Sequence, residues 1–230
     1  MINNIYNELL KDESIKKIYD DIGFMEDKDE NGWAYHNYDH IMSVTKLTES
    51  ILKNLNYDNE FITKAKIACL LHDIGALQGK EGHASRSYEF AKKYFKEHNI
   101  SFDGIEDVLE AIKVHSDGFN SENMIALSLI LSDKLDVKKT RIPKAGRTAV
   151  GNRQFMHVED ILINIKDNCL YVNFITDNNL DIIELNEYYF TKKIFKSIDS
   201  FSKKLNLDYK VLMDSKEWNI DLNPLTKQLI

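Results

Sequence analysis

Cys69-Leu70-Leu71-His72-Asp73-Ile74-Gly75 decides the fold of this chain, because an apolar helical run ends there on a histidine and an aspartate. A His-Asp pair alone is common. Its weight comes from where the other metal-competent side chains fall. At helical spacing, Ile62, Ala65 and Cys69 lead to His72, and His40 begins the stripe of Val44, Leu47, Ile51 and Leu55. Ile105, Val108 and Ile112 lead to His115, while Ala126, Leu129 and Ile130 lead to Asp133. Each polar group therefore points toward the shared interior of a helical bundle. A lone histidine on an apolar face is more often a hydrogen-bonded core residue. Four such coincidences reverse that preference, because converging imidazoles and carboxylates with few basic neighbours need a cation. Adjacent helical positions diverge by about 100°, so His72 and Asp73 approach an ion from different sides and Asp73 reaches a neighbouring one. Gly75 is expected to end the helix in a left-handed conformation, which costs glycine little.

The order His40, His72-Asp73 and Asp133 resembles the HD superfamily of metal-dependent phosphohydrolases. His83 in Glu81-Gly82-His83-Ala84 and His115 in Ile112-Lys113-Val114-His115-Ser116 match the extra ligands of its two-metal members. Ser132-Asp133-Lys134-Leu135-Asp136 is similar to the family's last ligand motif. The resemblance covers roughly the first 140 residues and is specific as a set. It implies an all-helical bundle with metals at its centre. It also implies that His40, His72, Asp73 and Asp133 hold one ion, with His83 and His115 holding a second that Asp73 bridges.

Tyr35-His36-Asn37-Tyr38-Asp39-His40 is similar to the Tyr-His-Asn-x-x-His signature of cyclic-nucleotide phosphodiesterases, in which the first histidine protonates the leaving oxygen. Two roles are open to His36. It acts as a general acid supported by Asp39, or it hydrogen-bonds at a helix start that Asn37 caps. The larger lid and base-binding elements of those enzymes are not recognisable, so a cyclic nucleotide does not follow as substrate.

Two divalent cations against two aspartates leave a cluster with two formal positive charges in a chain of net charge −7. Such a site suits an anion or a hydroxide. Metal-bound water ionises near neutral pH, and paired metals favour in-line attack on phosphorus. One or two ions per chain are expected. Mixed His and carboxylate ligation fits Mn, Fe, Co, Ni or Zn, with Mg preferring more oxygen.

With 230 residues and 43% hydrophobic content, the chain has the size of one domain plus a smaller appendage. No stretch approaches the roughly 18 apolar residues of a membrane span. Met1-Ile2-Asn3-Asn4-Ile5 lacks a signal peptide's basic and apolar regions. Cys69 and Cys169 suggest no disulfide framework, so the chain reads as cytoplasmic. Its acidic balance gives no general attraction for nucleic acid or anionic membrane.

Helical periodicity lapses from Lys138 to Arg153, around Pro143, Gly146 and Gly151. Beyond it Ile161, Ile163 and Ile165 alternate, then Leu170, Val172 and Phe174, with turn chemistry at Asp167-Asn168. A helix carrying Phe190, Ile194, Ile198, Phe201 and Leu205 follows, then a last strand over Tyr209–Asp214. The expected division is an HD-type helical bundle over 1–147 and a small α+β (β-β-α-β) extension over 148–230. Substrate cover, dimer contact or plain stabilisation are open to the extension, and a homodimer is compatible with it. His98 and His157 lie off the stripes and read as surface residues. Trp33, Trp218 and the tyrosines read as core and interface mass rather than as a base-stacking platform.

The expected activity is hydrolysis of a phosphate ester (a phosphomonoester or phosphodiester, on a nucleotide or related small metabolite) with metal-bound hydroxide as nucleophile. His36 and Asp73 are the catalytic candidates. Lys134 and Arg141, the latter in the basic run after Asp133, are the candidates for the substrate phosphate, because guanidinium matches phosphate oxygens. Two rival readings are di-iron oxygen chemistry on the same ligands and a non-catalytic sensor binding metal and nucleotide.

Overall fold

The computed structural model describes residues 2–30 and 32–222; Met1 and the end of the expected extension, from 223 on, lie outside the described residues. The chain opens with α1 (Ile2–Lys11), α2 (Glu13–Glu26), α3 (Tyr38–Asn54) and α4 (Asn59–Leu71). Then come α5 (His83–Glu97), α6 (Ile105–Val114) and α7 (Met124–Leu135). Side-chain caps fix where several begin: Asn37 accepts from the His40 amide, Asp58 from Phe61, and Asn123 from Ile125 and Ala126. Every residue of α7 from Ile125 to Leu135 is buried, as befits a helix surrounded by others. It packs on α3, α4 and α6, and so carries Asp133 into the middle of the bundle.

Gly75 does not end the helix in a left-handed turn. The helix α4 stops at Leu71, His72 caps it, and a 3-10 turn runs over Ile74–Gln78. Gly75 lies inside that turn without a positive φ. Its role is close approach, since a Cβ there would stand 2.4 Å from the His83 carbonyl oxygen and 2.6 Å from the Ser87 amide. The Gly75 amide donates to Ser87 Oγ (2.9 Å), and Arg86 Nε donates back to the Gly75 carbonyl (2.9 Å). Glycine thereby lets the start of α5 lie against the turn that follows Asp73.

After α7, short 3-10 turns over Lys139–Arg141, Ala145–Arg147 and Asn152–His157 fill the stretch where periodicity lapses. The expected hairpin is β1 (Val158–Lys166) and β2 (Cys169–Thr176), antiparallel, with Asp167 and Asn168 both at positive φ in the turn. A short helix α8 (Ile182–Glu187), absent from the β-β-α-β expectation, precedes α9 (Tyr189–Lys204). The next strand, β3 (Asp208–Met213), pairs parallel to β2, and a two-residue β4 (Lys216–Glu217) closes the sheet in the order β1-β2-β3-β4. Two apolar cores result. One lies among α1 to α7; the other joins the extension to Ile51, Leu127, Leu131 and Leu135 of the bundle.

Candidate metal centre

Four histidines are delivered by one local device and its variant. His72 and His115 cap the C-termini of α4 and α6, and His83 opens α5. In each, ring Nδ1 lies 2.7 Å from the carbonyl oxygen three residues earlier: Cys69, Ile112 and Lys80 respectively. A carbonyl only accepts, so Nδ1 carries the proton and Nε2 presents a lone pair. For His40 the partner is a carboxylate: Nδ1 lies 2.6 Å from Asp136 Oδ2, while Ser43 Oγ donates to Asp136 Oδ1 (2.7 Å). These outer partners orient the rings so that each Nε2 is turned toward the interior.

All four Nε2 atoms face Asp73. His40 and His72 lie 3.3 and 3.1 Å from Asp73 Oδ2, and Asp133 Oδ1 is 3.3 Å from His40 Nε2. His83 and His115 lie 3.1 and 3.2 Å from Asp73 Oδ1. The side chains thus form two groups that share Asp73, namely His40, His72, Asp73, Asp133 and Asp73, His83, His115.

The donor set fits a pair of divalent ions. The His83 and His115 Nε2 atoms face each other at 2.9 Å, and with both Nδ1 atoms protonated toward carbonyls these are two lone pairs in contact. His72 Nε2 and Asp73 Oδ2 are buried and have no hydrogen-bond partner. Buried acceptors without donors are costly, and a cation satisfies them together. One or two divalent ions per chain fit the two groups. Cys69 is not a competitor for them, since burial pushes its thiol up to about 12.

Among the protein's own groups the titration pattern is polarised. Burial works against a charged His40, but hydrogen bonds with Asp133, Asp136 and Asp73 outweigh it and hold the ring well above the ordinary histidine value. His83 is raised in the same sense, against its burial, by Asp73. Burial dominates at His115, with the neighbouring His72 and His83 adding to it, and pushes the ring down to about 4. Asp73 and Asp133 are buried, which alone would favour protonation. The surrounding histidines, and Lys134 for Asp133, hold both far below the usual carboxylate range.

His36 stands beside this cluster and outside both ligand groups, its ring centroid 6.3 Å from that of His40 and 5.7 Å from that of His83. Its supporting carboxylate is Glu26, not Asp39, which is exposed at the first turn of α3. Glu26 Oε1 lies 2.5 Å from His36 Nδ1, and Glu26 Oε2 accepts the His36 amide at 2.8 Å. Lys134 and Arg141 both line the cleft over the cluster, and both are engaged there with carboxylates. Lys134 Nζ is 2.6 Å from Asp133 Oδ2; Arg141 lies 3.6 Å from Asp133 Oδ1 and 3.3 Å from Asp136 Oδ2, with Nη1 against the His40 ring. His98 is exposed on Tyr94, and His157 pairs with Asp177; neither joins the site.

Glu26 and Asp136 were not foreseen as ring-orienting partners. Asp136 stands 96 positions from His40 and Glu26 lies in the last turn of α2, so only tertiary packing creates their roles. The one available signal was Asp136 inside the Ser132–Asp136 motif. The cleft has a volume of about 500 Å³, and Lys80, Lys113 and Lys193 add positive charge to its rim.

Residues 37–142 match the family model described as HD domain. That stretch, from the cap of α3 to just beyond α7, is an HD domain. A solved structure described as a predicted HD superfamily hydrolase, from an uncultured Thermotogales bacterium, is similar at 22% identity over 59% of this chain and 80% of its own, with a TM-score of 0.41. No curated protein matches the chain. The HD domain and its two His/Asp groups give the chain the fold and active-site signature of a metal-dependent phosphohydrolase. No helix among the described residues is long and apolar enough to cross a membrane.

Proposed function

We propose that this HD protein hydrolyses the phosphate ester of a small metabolite of the nucleotide kind, with His40, His72, Asp73 and Asp133 holding one divalent ion and Asp73, His83 and His115 a second. The observation that carries the reading is Asp73, whose two oxygens each face a separate ligand group. When bound, the ions supply a water that ionises near neutral pH and positive charge for the phosphoryl oxygens. Asp73, shared by both groups, would be a ligand to each ion. His36 holds the proton that passes to the leaving oxygen, and Glu26, gripping its Nδ1 and its amide, fixes the ring. Arg141 and Lys134, which border the cleft beside Asp133, bind phosphate oxygens. A cytoplasmic location accords with two buried, unpaired cysteines.

The test separates His36 from the ligands. His36→Ala keeps its metal by elemental analysis, yet loses about 10²–10⁴ in rate on alkyl phosphates, whose leaving group needs a proton. An activated aryl phosphate suffers far less. Equal losses on both substrates remove the acid role, and loss of metal returns His36 to the ligand set. Hydrolysis that persists with redox-inert ions excludes the di-iron oxygen alternative.

A further inference from the structure

The helix α2 reaches the metal centre with two side chains, although it precedes the residues that match the HD domain. Ile15, Tyr19, Ile22 and Glu26 recur along it at helical spacing, and the first three are buried. Glu26, at the end of the helix, grips His36. Tyr19, about two turns earlier, is fully buried and meets the end of α4. Gly23 between them permits the close approach, since a Cβ there would stand 3.1 Å from the Cβ of Asn37, the cap of α3. The same helix packs on the turn over Ile74–Gln78 that follows Asp73.

The Tyr19 hydroxyl meets α4 where that helix breaks. The last carbonyls of a helix have no partner within it. Here two neighbouring ones are taken by side chains: the Cys69 carbonyl by Nδ1 of His72 and the Leu70 carbonyl by the Tyr19 hydroxyl, each at 2.7 Å. A carbonyl only accepts, so the phenol donates its proton and keeps lone pairs free. The Asp73 backbone amide is a further hydrogen-bond donor to the same oxygen. Tyr19 therefore ties Leu70 to Asp73 across the break, where Asp73 has left helical geometry at φ −108° and ψ 3°. On the other side, the Asp73 carbonyl accepts from the Ala76 amide at 2.8 Å. Asp73 Oδ2 has no hydrogen-bond partner of its own among the described residues, so the carboxylate is aimed by the backbone that carries it.

We infer that Tyr19 is a positioning residue of the metal centre: its hydroxyl holds the break after α4 in the form that aims the Asp73 carboxylate between the two ligand groups. The inference rests on Asp73 as a ligand shared by both ions, and it is independent of the reaction those ions support. Without the hydroxyl, the Leu70 carbonyl and the Asp73 amide are left buried without that partner, which is costly. The junction relieves this by turning, and the Asp73 side chain turns with it. Because that carboxylate belongs to both groups, both ions weaken together.

Calorimetric titration of Mn²⁺ into the chelated full-length protein tests this with two variants. Tyr19→Phe keeps the ring and removes only the oxygen. Asp12→Ala removes the side chain that caps α2 by accepting from the Ser14 amide, and so loosens the same helix at the end away from Glu26. Tyr19→Phe should bind both ions about 10- to 100-fold more weakly, the range for a partner standing behind a metal ligand. Asp12→Ala should lower the melting temperature of the chelated protein and leave Mn²⁺ affinity at the wild-type value. Wild-type affinity in Tyr19→Phe overturns the inference, and so does weakening of one ion alone, because the hydroxyl would then not act through Asp73. Equal loss of affinity in the two variants also overturns it, since lowered stability would account for both. A wild type that takes up neither Mn²⁺ nor Zn²⁺ removes the shared-ligand reading of Asp73, and the inference with it.

Discussion

Asp73 is the residue on which the two ligand groups depend, because each of its oxygens lies within 3.3 Å of two histidine Nε2 atoms. Asp73→Ala should abolish activity and remove most bound metal, since it deletes the bridge and half of the carboxylate charge. His83→Ala or His115→Ala should cost one ion and keep the other. Elemental analysis reads all three, and undiminished metal in Asp73→Ala would sink the assignment. The titration pattern adds a pH dependence. His40 is held above the histidine value of 6.5, so without metal its contribution to stability is complete below that value and fades as pH rises through the raised one. Metal must displace that proton. Binding should therefore release protons and weaken as pH falls, which calorimetry in buffers of different ionisation enthalpy measures. Chelated protein should lose melting temperature as pH rises through the raised value, and loaded protein should not. Affinity independent of pH between about 6 and 8 would contradict it. Sequence spacing pointed His40, His72, His115 and Asp133 inward because helices impose a period on side-chain direction. It could not show Glu26 behind His36, since that contact depends on a loop meeting a distant helix.

At the scale of elements, the site depends on how tightly α5 lies against the turn after α4. That contact was misread in sequence because a glycine following a helix has two uses, a left-handed turn and a close approach, and spacing does not separate them. The distances do. Gly75→Ala places a methyl 2.4 Å from the His83 carbonyl and 2.6 Å from the Ser87 amide, both backbone atoms that cannot swing away. The start of α5 must shift, at a cost of about 1–3 kcal/mol. His83 shifts with it, whereas His40, His72 and Asp133 sit on α3, α4 and α7. The expected outcome is a lowered melting temperature and selective weakening of the ion held by His83 and His115, read by thermal unfolding and by metal stoichiometry after mild chelation. Equal loss of both ions would mean that the turn supports the whole centre. By contrast the hairpin was legible, because the alternating residues around the Asp167-Asn168 turn pair Ile165 with Leu170, Ile163 with Val172 and Ile161 with Phe174, while the register shift near Val158 was not.

For the whole molecule, the sequence suggested a bundle over 1–147 and a separate extension after it, on the evidence of a lapse in periodicity. Composition cannot reveal that the two parts share apolar surface. Ile51 on α3, and Leu127, Leu131 and Leu135 on α7, belong to the same core as Phe155, Phe174, Ile194 and Phe201. Burying one such side chain contributes about 1.5–3 kcal/mol. Exposing four is therefore on the order of the whole net stability of a domain, about 5–15 kcal/mol. The same α7 carries Asp133, so loosening its outer face loosens a metal ligand. A fragment ending at residue 147 should accumulate as insoluble or non-cooperatively melting protein and bind little metal, even though it contains every proposed ligand. Size-exclusion chromatography, thermal unfolding and elemental analysis of that fragment test this together. A soluble fragment that melts cooperatively with two ions would make the bundle self-sufficient and leave the shared core dispensable for the metal site.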